Sequence, residues 1–272
     1  MSSATPRVVS PAISPEASAP DFNPYETDRL LHEYLLFHYG SAEEVLPFGF
    51  GPSSALGYPQ RCVSECVDVT QLPVDARALD LGCAVGRSCF ELARYCKDVV
   101  GIDFSHRFVE AAEVLRSAGT LSYRRADEGD LSTPLVARRP PGIAPERLRF
   151  AQGDAMALPL SLGSFDVVLM ANLIDRLSLP QLCLERLPSL VRSGGQLVIT
   201  SPYTWLEEYT PREFWLGGFN SEGRPRHTLE GLKAALTKDF KLATVRDLPF
   251  LIREHARKYQ WSVAQASVWR RR

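Results

Sequence analysis

The chain has 272 residues, with 31 Lys and Arg against 32 Asp and Glu and a formal net charge of -1. That length, at 45% hydrophobic content, supports one sizeable core, while the charge balance excludes the basic footprint of a nucleic-acid binder and any pull toward an anionic membrane. No apolar run approaches the ~20 residues of a membrane span, and the first residues, MSSATPRVVSPAISPEASAP, lack the apolar stretch of a secretory signal. The expectation is a soluble, cytoplasmic protein acting on small molecules.

Taken in chain order, residues 1–20 are rich in Ser, Ala and Pro without apolar periodicity, a composition that cannot repay the entropy of ordering, and they read as a disordered tail. In NPYETDRLLHEYLLFHYG, Leu30, Leu31, Tyr34, Leu35 and His38 recur at helical spacing after Thr27, a ready N-cap, which predicts a helix over 26–39. The Gly- and Pro-rich GSAEEVLPFGFGPSSALGYPQ that follows reads as an irregular, aromatic-bearing connection. Residues 21–72 are thus expected to form a helical and looped cap.

From about residue 76 short apolar strands alternate with helices: RALDL, DVVGID, LRFAQGD, FDVVLMAN and GQLVITS, with helices near 86–96, 106–118 and 180–190. This is the pattern of a parallel sheet covered on both faces. A polar, Pro-rich insertion interrupts it at about 119–146. The chain closes with a helix near 228–238 and two strands, KLATVRDL and QWSVAQASVW, joined by a charged connection and expected to pair as an antiparallel hairpin at the sheet edge. The six cysteines, Cys62, Cys66, Cys83, Cys89, Cys96 and Cys183, form no CxxC pair, and the five histidines show no metal-binding spacing. Reduced, buried thiols and no metal site are expected.

The residues that carry chemistry lie at strand ends. LDLGCAVGRS places Asp80 two positions before Gly82 and Gly86 four further on, which differs from the GxGxxG that cradles a pyrophosphate. The glycines admit a ligand close to the backbone, and an acidic neighbour favours an ammonium over a phosphate. Asp103 closes the second strand, where a carboxylate can accept both ribose hydroxyls. Asp154, in QGDAMALP, ends the third strand, where it and the next backbone N–H suit an adenine edge. Amino acid, ribose and base are the three parts of the ligand so read.

This set resembles the class I S-adenosylmethionine-dependent methyltransferases, through LDLGCAVGRS, GIDFS, GDAMALP, SFDVVLMANLIDRL and LVRSGGQLVITSP over residues 76–201. The resemblance implies an α/β fold, a Rossmann-like sheet of seven strands with helices on both faces and an antiparallel C-terminal hairpin, here beneath an N-terminal helical lid, with the methyltransferase domain at 73–272. It implies S-adenosylmethionine as cofactor, S-adenosylhomocysteine as product, and a cofactor site of Asp80, Gly82, Cys83, Gly86, Asp103, Phe104, Asp154, Ala155 and Asn172. Cys83 reads from its size as a small packing residue of that loop.

From residue 22 onward, NPYETDRLLHEYLLFHYG, YRRADEGDLSTPL, PREFWLGGF and LPFLIREHARKYQWSVAQASVWRR are similar to the methyltransferase family of ovothiol biosynthesis. That domain is often fused behind an iron-dependent sulfoxide synthase. The resemblance implies a stand-alone enzyme that methylates the imidazole nitrogen nearer the side-chain attachment of 5-thiohistidine, giving ovothiol A, with a functional link to a synthase. Two other readings stay open: a different small acceptor, such as histidine or a related thiol, and a non-catalytic cofactor-binding partner of the synthase.

In-line methyl transfer chiefly requires positioning. Asn172 and Asp175, at the end of the fourth strand, are expected to orient the imidazole through its N–H. Tyr25 and Tyr39 bracket the first helix as a lid. Arg176, Arg226 and Arg253 are candidates for the substrate carboxylate. Tyr203, Trp205 and Trp215 offer aromatic faces to a flat ring, and His227 is a candidate proton acceptor.

Overall fold

The computed structural model describes residues 23–272, so the tail expected over 1–20 lies outside the described residues. The apolar runs of the sequence become β1 (Arg77–Leu81), β2 (Asp98–Asp103), β5 (Leu148–Gln152), β6 (Phe165–Ala171) and β7 (Val191–Ser201). Between β2 and β5 lies a hairpin of β3 (Thr120–Glu128) and β4 (Leu131–Arg138), and near the C-terminus β8 (Phe219–Ser221) and β9 (Arg224–Arg226) precede β10 (Phe240–His255) and β11 (Lys258–Arg271). Seven strands form one sheet in the order β10-β11-β7-β6-β1-β2-β5. The strands from β7 through β5 are parallel, and β11 and β10 run antiparallel to their neighbours. The chain winds from β1 outward to β5, then returns to β6 on the other side. The reversal between β1 and β6 opens a crevice at their carboxyl ends.

The helices are α1 (Asp28–Tyr39), α2 (Ala42–Val45), α3 (Tyr58–Ser64), α4 (Arg87–Leu92), α5 (His106–Ala118), α6 (Pro180–Leu190) and α7 (Thr228–Leu236). Strand alternation divides the core into two layers. Ala78, Val167 and Val198 face Phe90 of α4 and Phe108 and Leu115 of α5. Leu79, Leu81, Val168 and Ile199 face Leu184 and Leu187 of α6 and Leu232 of α7. Central strands buried on both faces explain why their sequences read as continuous apolar runs. Thr27 caps α1, accepting from Leu30 N–H, and Ser105 caps α5, accepting from Phe108 N–H at 3.2 Å.

Three parts of the chain differ from the sequence expectation. The polar insertion is the β3–β4 hairpin, its residues exposed on alternate positions. The aromatic connection contains α2, closed by a Ser41–Glu44 capping box, and α3. The charged connection near the C-terminus is strand: β10 runs on through Pro249 to His255, and β11 starts at Lys258. Proline is tolerated there because β10 is an edge strand and needs no ladder donor on its outer side. β11 pairs with β7 only over Gln265–Arg270, so the tip of the hairpin projects past the carboxyl end of β7. Against that projection rest α1, through Phe37 and Phe250 with ring centroids 6.2 Å apart, and the inserted hairpin, where Ala256 N–H donates to the Asp127 carbonyl at 3.0 Å. These elements stand above the crevice.

Candidate active site

The loop from β1 to α4 turns through three left-handed residues, Gly82 (φ +72), Ala84 (φ +47) and Gly86 (φ +85). At Gly86 the limitation is space as well as conformation, since a Cβ there would lie 2.8 Å from the Phe150 ring and 3.0 Å from Ala112. The loop is held from below by Ile102, whose carbonyl accepts from Gly82 and Cys83 N–H. From above, Tyr39 of α1 donates its hydroxyl to the Val85 carbonyl at 2.7 Å.

Asp80 is wholly buried. Its Oδ2 accepts from Ser88 Oγ at 2.5 Å and Cys89 Sγ at 3.2 Å, and Oδ1 has no partner. Burial pushes this carboxyl up to about 6. The carboxylate is directed at the first turn of α4 and presents no open surface to an ammonium group. Asp103 is half-buried, its Oδ2 accepting from Ala84 N–H at 2.8 Å and its Oδ1 from Ser105 N–H at 2.9 Å. Burial raises it too, to about 6, against the opposing pull of those backbone donors. The adjacent Phe104 side chain is 55% exposed. At the end of β5, Asp154 accepts from Met156 N–H at 2.8 Å and Ala155 is buried. Cys83 is buried, and burial raises its thiol to about 11, in keeping with a packing residue.

After β6 the chain passes through Asn172 in left-handed conformation (φ +54). Its backbone N–H donates to Thr200 at 2.8 Å, and its Oδ1 accepts from the Tyr58 hydroxyl at 2.7 Å. Leu173 lies against the glycine loop, 3.0 Å from where a Cβ of Gly82 would stand. The loop, Asp103, Asp154 and Asn172 therefore surround one crevice at the carboxyl ends of β5, β2, β1 and β6.

The N-terminal segment roofs this crevice. Ser105 Oγ donates to the Tyr25 carbonyl at 3.0 Å, His106 N–H to Glu26 Oε1 at 2.8 Å, and Arg107 to the Glu26 carbonyl and the Asp28 carboxylate. The Tyr25 ring packs against Tyr34 and Phe108, and its hydroxyl lies beside Arg176 and Tyr209, with burial raising the phenol to about 12. The Arg176 guanidinium stands 4.8 Å over the Tyr209 ring and donates to the Thr204 carbonyl at 3.0 Å. Tyr25 and Arg176, far apart in sequence, thus meet.

Other candidates fall elsewhere. Asp175 is 0% exposed, accepting from Ser201 Oγ and Thr204 N–H at 2.9 Å each and from Arg176 at 3.1 Å. It ties the ends of β6 and β7 together and has no face for an imidazole. Trp205 is buried, donating Nε1–H to Thr228 at 2.8 Å and stacking on Trp215, so these rings pack the loop onto α7. Tyr203, half-buried with φ +54, donates to Gln265 Oε1 at 3.1 Å. Arg253 is buried and donates to the Glu44 carbonyl at 2.7 Å, behind α1. Arg226 is exposed on β9 over Phe219, and His227 stands at the N-cap of α7. Sequence reasoning missed Tyr58, Thr200, Tyr34, Glu26 and Arg107, and only the aromatic content of the connecting loop hinted at the first. Among the described residues no group of three or more His, Cys, Asp and Glu could hold a metal, and all six cysteines are buried free thiols.

Comparison with known proteins accords with this geometry. Residues 79–199 match one family model described as a methyltransferase domain, and residues 142–267 match a second of the same description. The curated ajmaline N-methyltransferase of Rauvolfia serpentina is 24% identical over 180 residues, which cover 64% of this chain and 53% of that protein. The chain thus spans about half the length of this curated relative. Among solved structures, a TehB-like S-adenosylmethionine-dependent methyltransferase from Corynebacterium glutamicum is 17% identical, with 79% of this chain and 87% of that one covered and a TM-score of 0.46. Magnesium protoporphyrin IX methyltransferase from Synechocystis, solved with bound S-adenosylhomocysteine, is also 17% identical, with 72% and 74% covered and a TM-score of 0.44. By its family models and by a sheet that reverses at a glycine-lined crevice, the chain carries a class I S-adenosylmethionine-dependent methyltransferase domain.

Proposed function

We propose that this chain methylates the imidazole nitrogen nearer the side-chain attachment of 5-thiohistidine, giving ovothiol A and S-adenosylhomocysteine. The residues fit the cofactor. The glycine loop turns over β1 in left-handed conformation at Gly82 and Gly86, and Asp103 keeps lone pairs for ribose hydroxyls beyond its two backbone donors. Phe104 adds an exposed ring beside it, and Asp154 with Ala155 lies one strand further toward the adenine position. Asp80 contributes from behind, by fixing α4 against the loop. When bound, S-adenosylmethionine supplies an electrophilic methyl group on a sulfonium sulfur.

The observation that carries a small, carboxylate-bearing acceptor is the meeting of Tyr25 with Arg176. A cation half-shielded under a tyrosine roof suits a free amino acid and leaves little room for a polymer. Tyr203 is the aromatic candidate remaining beside it for the acceptor ring. The choice of 5-thiohistidine among such acceptors rests on the resemblance from residue 22 onward, and the N-methyltransferase named above accords with nitrogen as the receiving atom. With the cofactor bound, the ring nitrogen would take the methyl group it supplies, and the proton on the other ring nitrogen would leave to solvent. The task left to the protein is to hold nitrogen, and not sulfur, in line.

Mass spectrometry of products tests this, after incubation of the protein with S-adenosylmethionine and, in parallel, 5-thiohistidine, histidine or buffer, with NMR to locate the methyl group. N-methylation of 5-thiohistidine alone is the expected result. Methylated sulfur or histidine would move the reading to another small acceptor, and no turnover with any would favour a binding role.

A further inference from the structure

The end of β6 carries a hydrogen-bond relay that the cofactor reading does not use. Tyr58, the first residue of α3, is 2% exposed, with its ring stacked on Phe37 at 6.0 Å and tilted against Phe250 at 4.9 Å. Its hydroxyl lies 2.6 Å from Thr200 Oγ1 and 2.7 Å from Asn172 Oδ1. A phenol has one proton and so does a threonine hydroxyl. Oδ1 can only accept, and both hydroxyls reach it, Tyr58 at 2.7 Å and Thr200 Oγ1 at 3.5 Å, while either hydroxyl can donate to the other. Burial holds the phenol well above its ordinary range, which keeps it a donor at every working pH. The backbone of Asn172 is fixed in the same place by its φ of +54 and its own bond to Thr200. Both ends of the side chain's motion are therefore constrained, and the amide has one orientation.

We infer that Tyr58 is a positioning residue that grips Asn172 by its carbonyl oxygen, so that Asn172 presents its NH2 group to the acceptor and recognises an anionic group there, a carboxylate or thiolate. This rests on the reading above that Asn172 borders the acceptor, and it reverses the polarity expected from sequence, in which Asn172 would receive the imidazole N–H.

The test has one arm without any acceptor. In uniformly 15N-labelled full-length protein, the Asn172 side-chain NH2 signals are identified as the pair lost in Asn172→Asp. Tyr58→Phe, which keeps the ring in place, is expected to shift that pair and to speed its exchange with solvent at least several-fold. An unmoved pair in a folded Tyr58→Phe protein overturns the inference. The second arm is steady-state kinetics with 5-thiohistidine. Tyr58→Phe should raise the acceptor KM about tenfold, change kcat less than threefold, and leave S-adenosylhomocysteine affinity within about twofold, whereas a merely structural role would also lower kcat and weaken S-adenosylhomocysteine binding. Asn172→Asp, which keeps an oxygen for Tyr58 but loses the NH2, should lower kcat/KM by 100-fold or more, and near-normal turnover by it would overturn the inference. Absence of turnover by the unaltered protein with 5-thiohistidine would defeat the functional reading, and the amide signals would still decide the role of Tyr58.

Discussion

Asp103 Oδ2 accepts the backbone N–H of Ala84 across 2.8 Å, joining the end of β2 to the glycine loop that leaves β1. The carboxylate thereby ties the two strand ends together and keeps lone pairs beyond its two backbone donors. Asp103→Ala is expected to weaken S-adenosylhomocysteine binding by on the order of 2 kcal/mol or more, the loss of two hydrogen bonds to a charged group. Calorimetry reads this directly, and unchanged affinity would remove Asp103 from the ribose site.

The same carboxylate gives cofactor binding a pH dependence. Burial raises Asp103 from 3.8 to about 6 in the free protein. Ribose hydroxyls donate to the ionised form and favour it, so binding releases a proton and affinity should rise between pH 5 and pH 7.5. In Asp103→Asn that slope should flatten, whereas an identical slope in both proteins would assign the titration to another group.

Asp80 makes its own prediction about stability. Its pKa is raised on folding, from 3.8 to about 6, so its contribution is complete below pH 3.8 and is lost as pH rises through 6. Asp80→Asn cannot titrate. Relative to this variant, the native protein should lose up to about 3 kcal/mol of stability from pH 4 to pH 7, at 1.36 kcal/mol per pKa unit. Urea unfolding at both pH values, read as the difference between the two proteins, checks the sign, and a difference that stays constant with pH would show that Asp80 is not charged at neutrality.

Tyr39→Phe removes the hydroxyl that holds the Val85 carbonyl at 2.7 Å. The expected cost is about 1 kcal/mol of stability, together with several-fold weaker cofactor binding because the loop loses its upper support. Stability loss without any change in affinity would make Tyr39 a packing residue alone.

Gly86→Ala places a methyl group 2.8 Å from the Phe150 ring at φ +85. Both overpacking and left-handed strain act there, and thermal unfolding should report a loss on the order of 2–4 kcal/mol. Gly129→Ala, at a hairpin turn with open space around it, controls for the conformational part alone and should lose about 1 kcal/mol.

The sheet was legible because its central strands are buried on both faces, so that RALDL and FDVVLMA are apolar apart from Arg77, Asp80 and Asp166. The glycine loop was legible because left-handed turns with no room for a Cβ select glycine. Asp103 and Asn172 were legible as strand-end residues, a position that needs only local chain direction. The N-terminal helix was legible from its spacing and its Thr27 cap.

What local sequence could not convey was which strand-end side chains stay open. Asp175 and Trp205 carry the chemistry expected of a substrate site, yet both are used up by partners, Ser201 and Thr204 for one and Thr228 and Trp215 for the other. Tyr58 had no motif to mark it, since its function depends on Asn172, 114 positions away. Sequence by itself determined the strand order's raw material and the crevice of the cofactor, because periodicity, turns and strand ends are short-range properties. Tertiary structure alone decided the roof of Tyr25 over Arg176 and the orientation of Asn172, because burial and hydrogen-bond partnership depend on segments that become neighbours only once the sheet has closed around them.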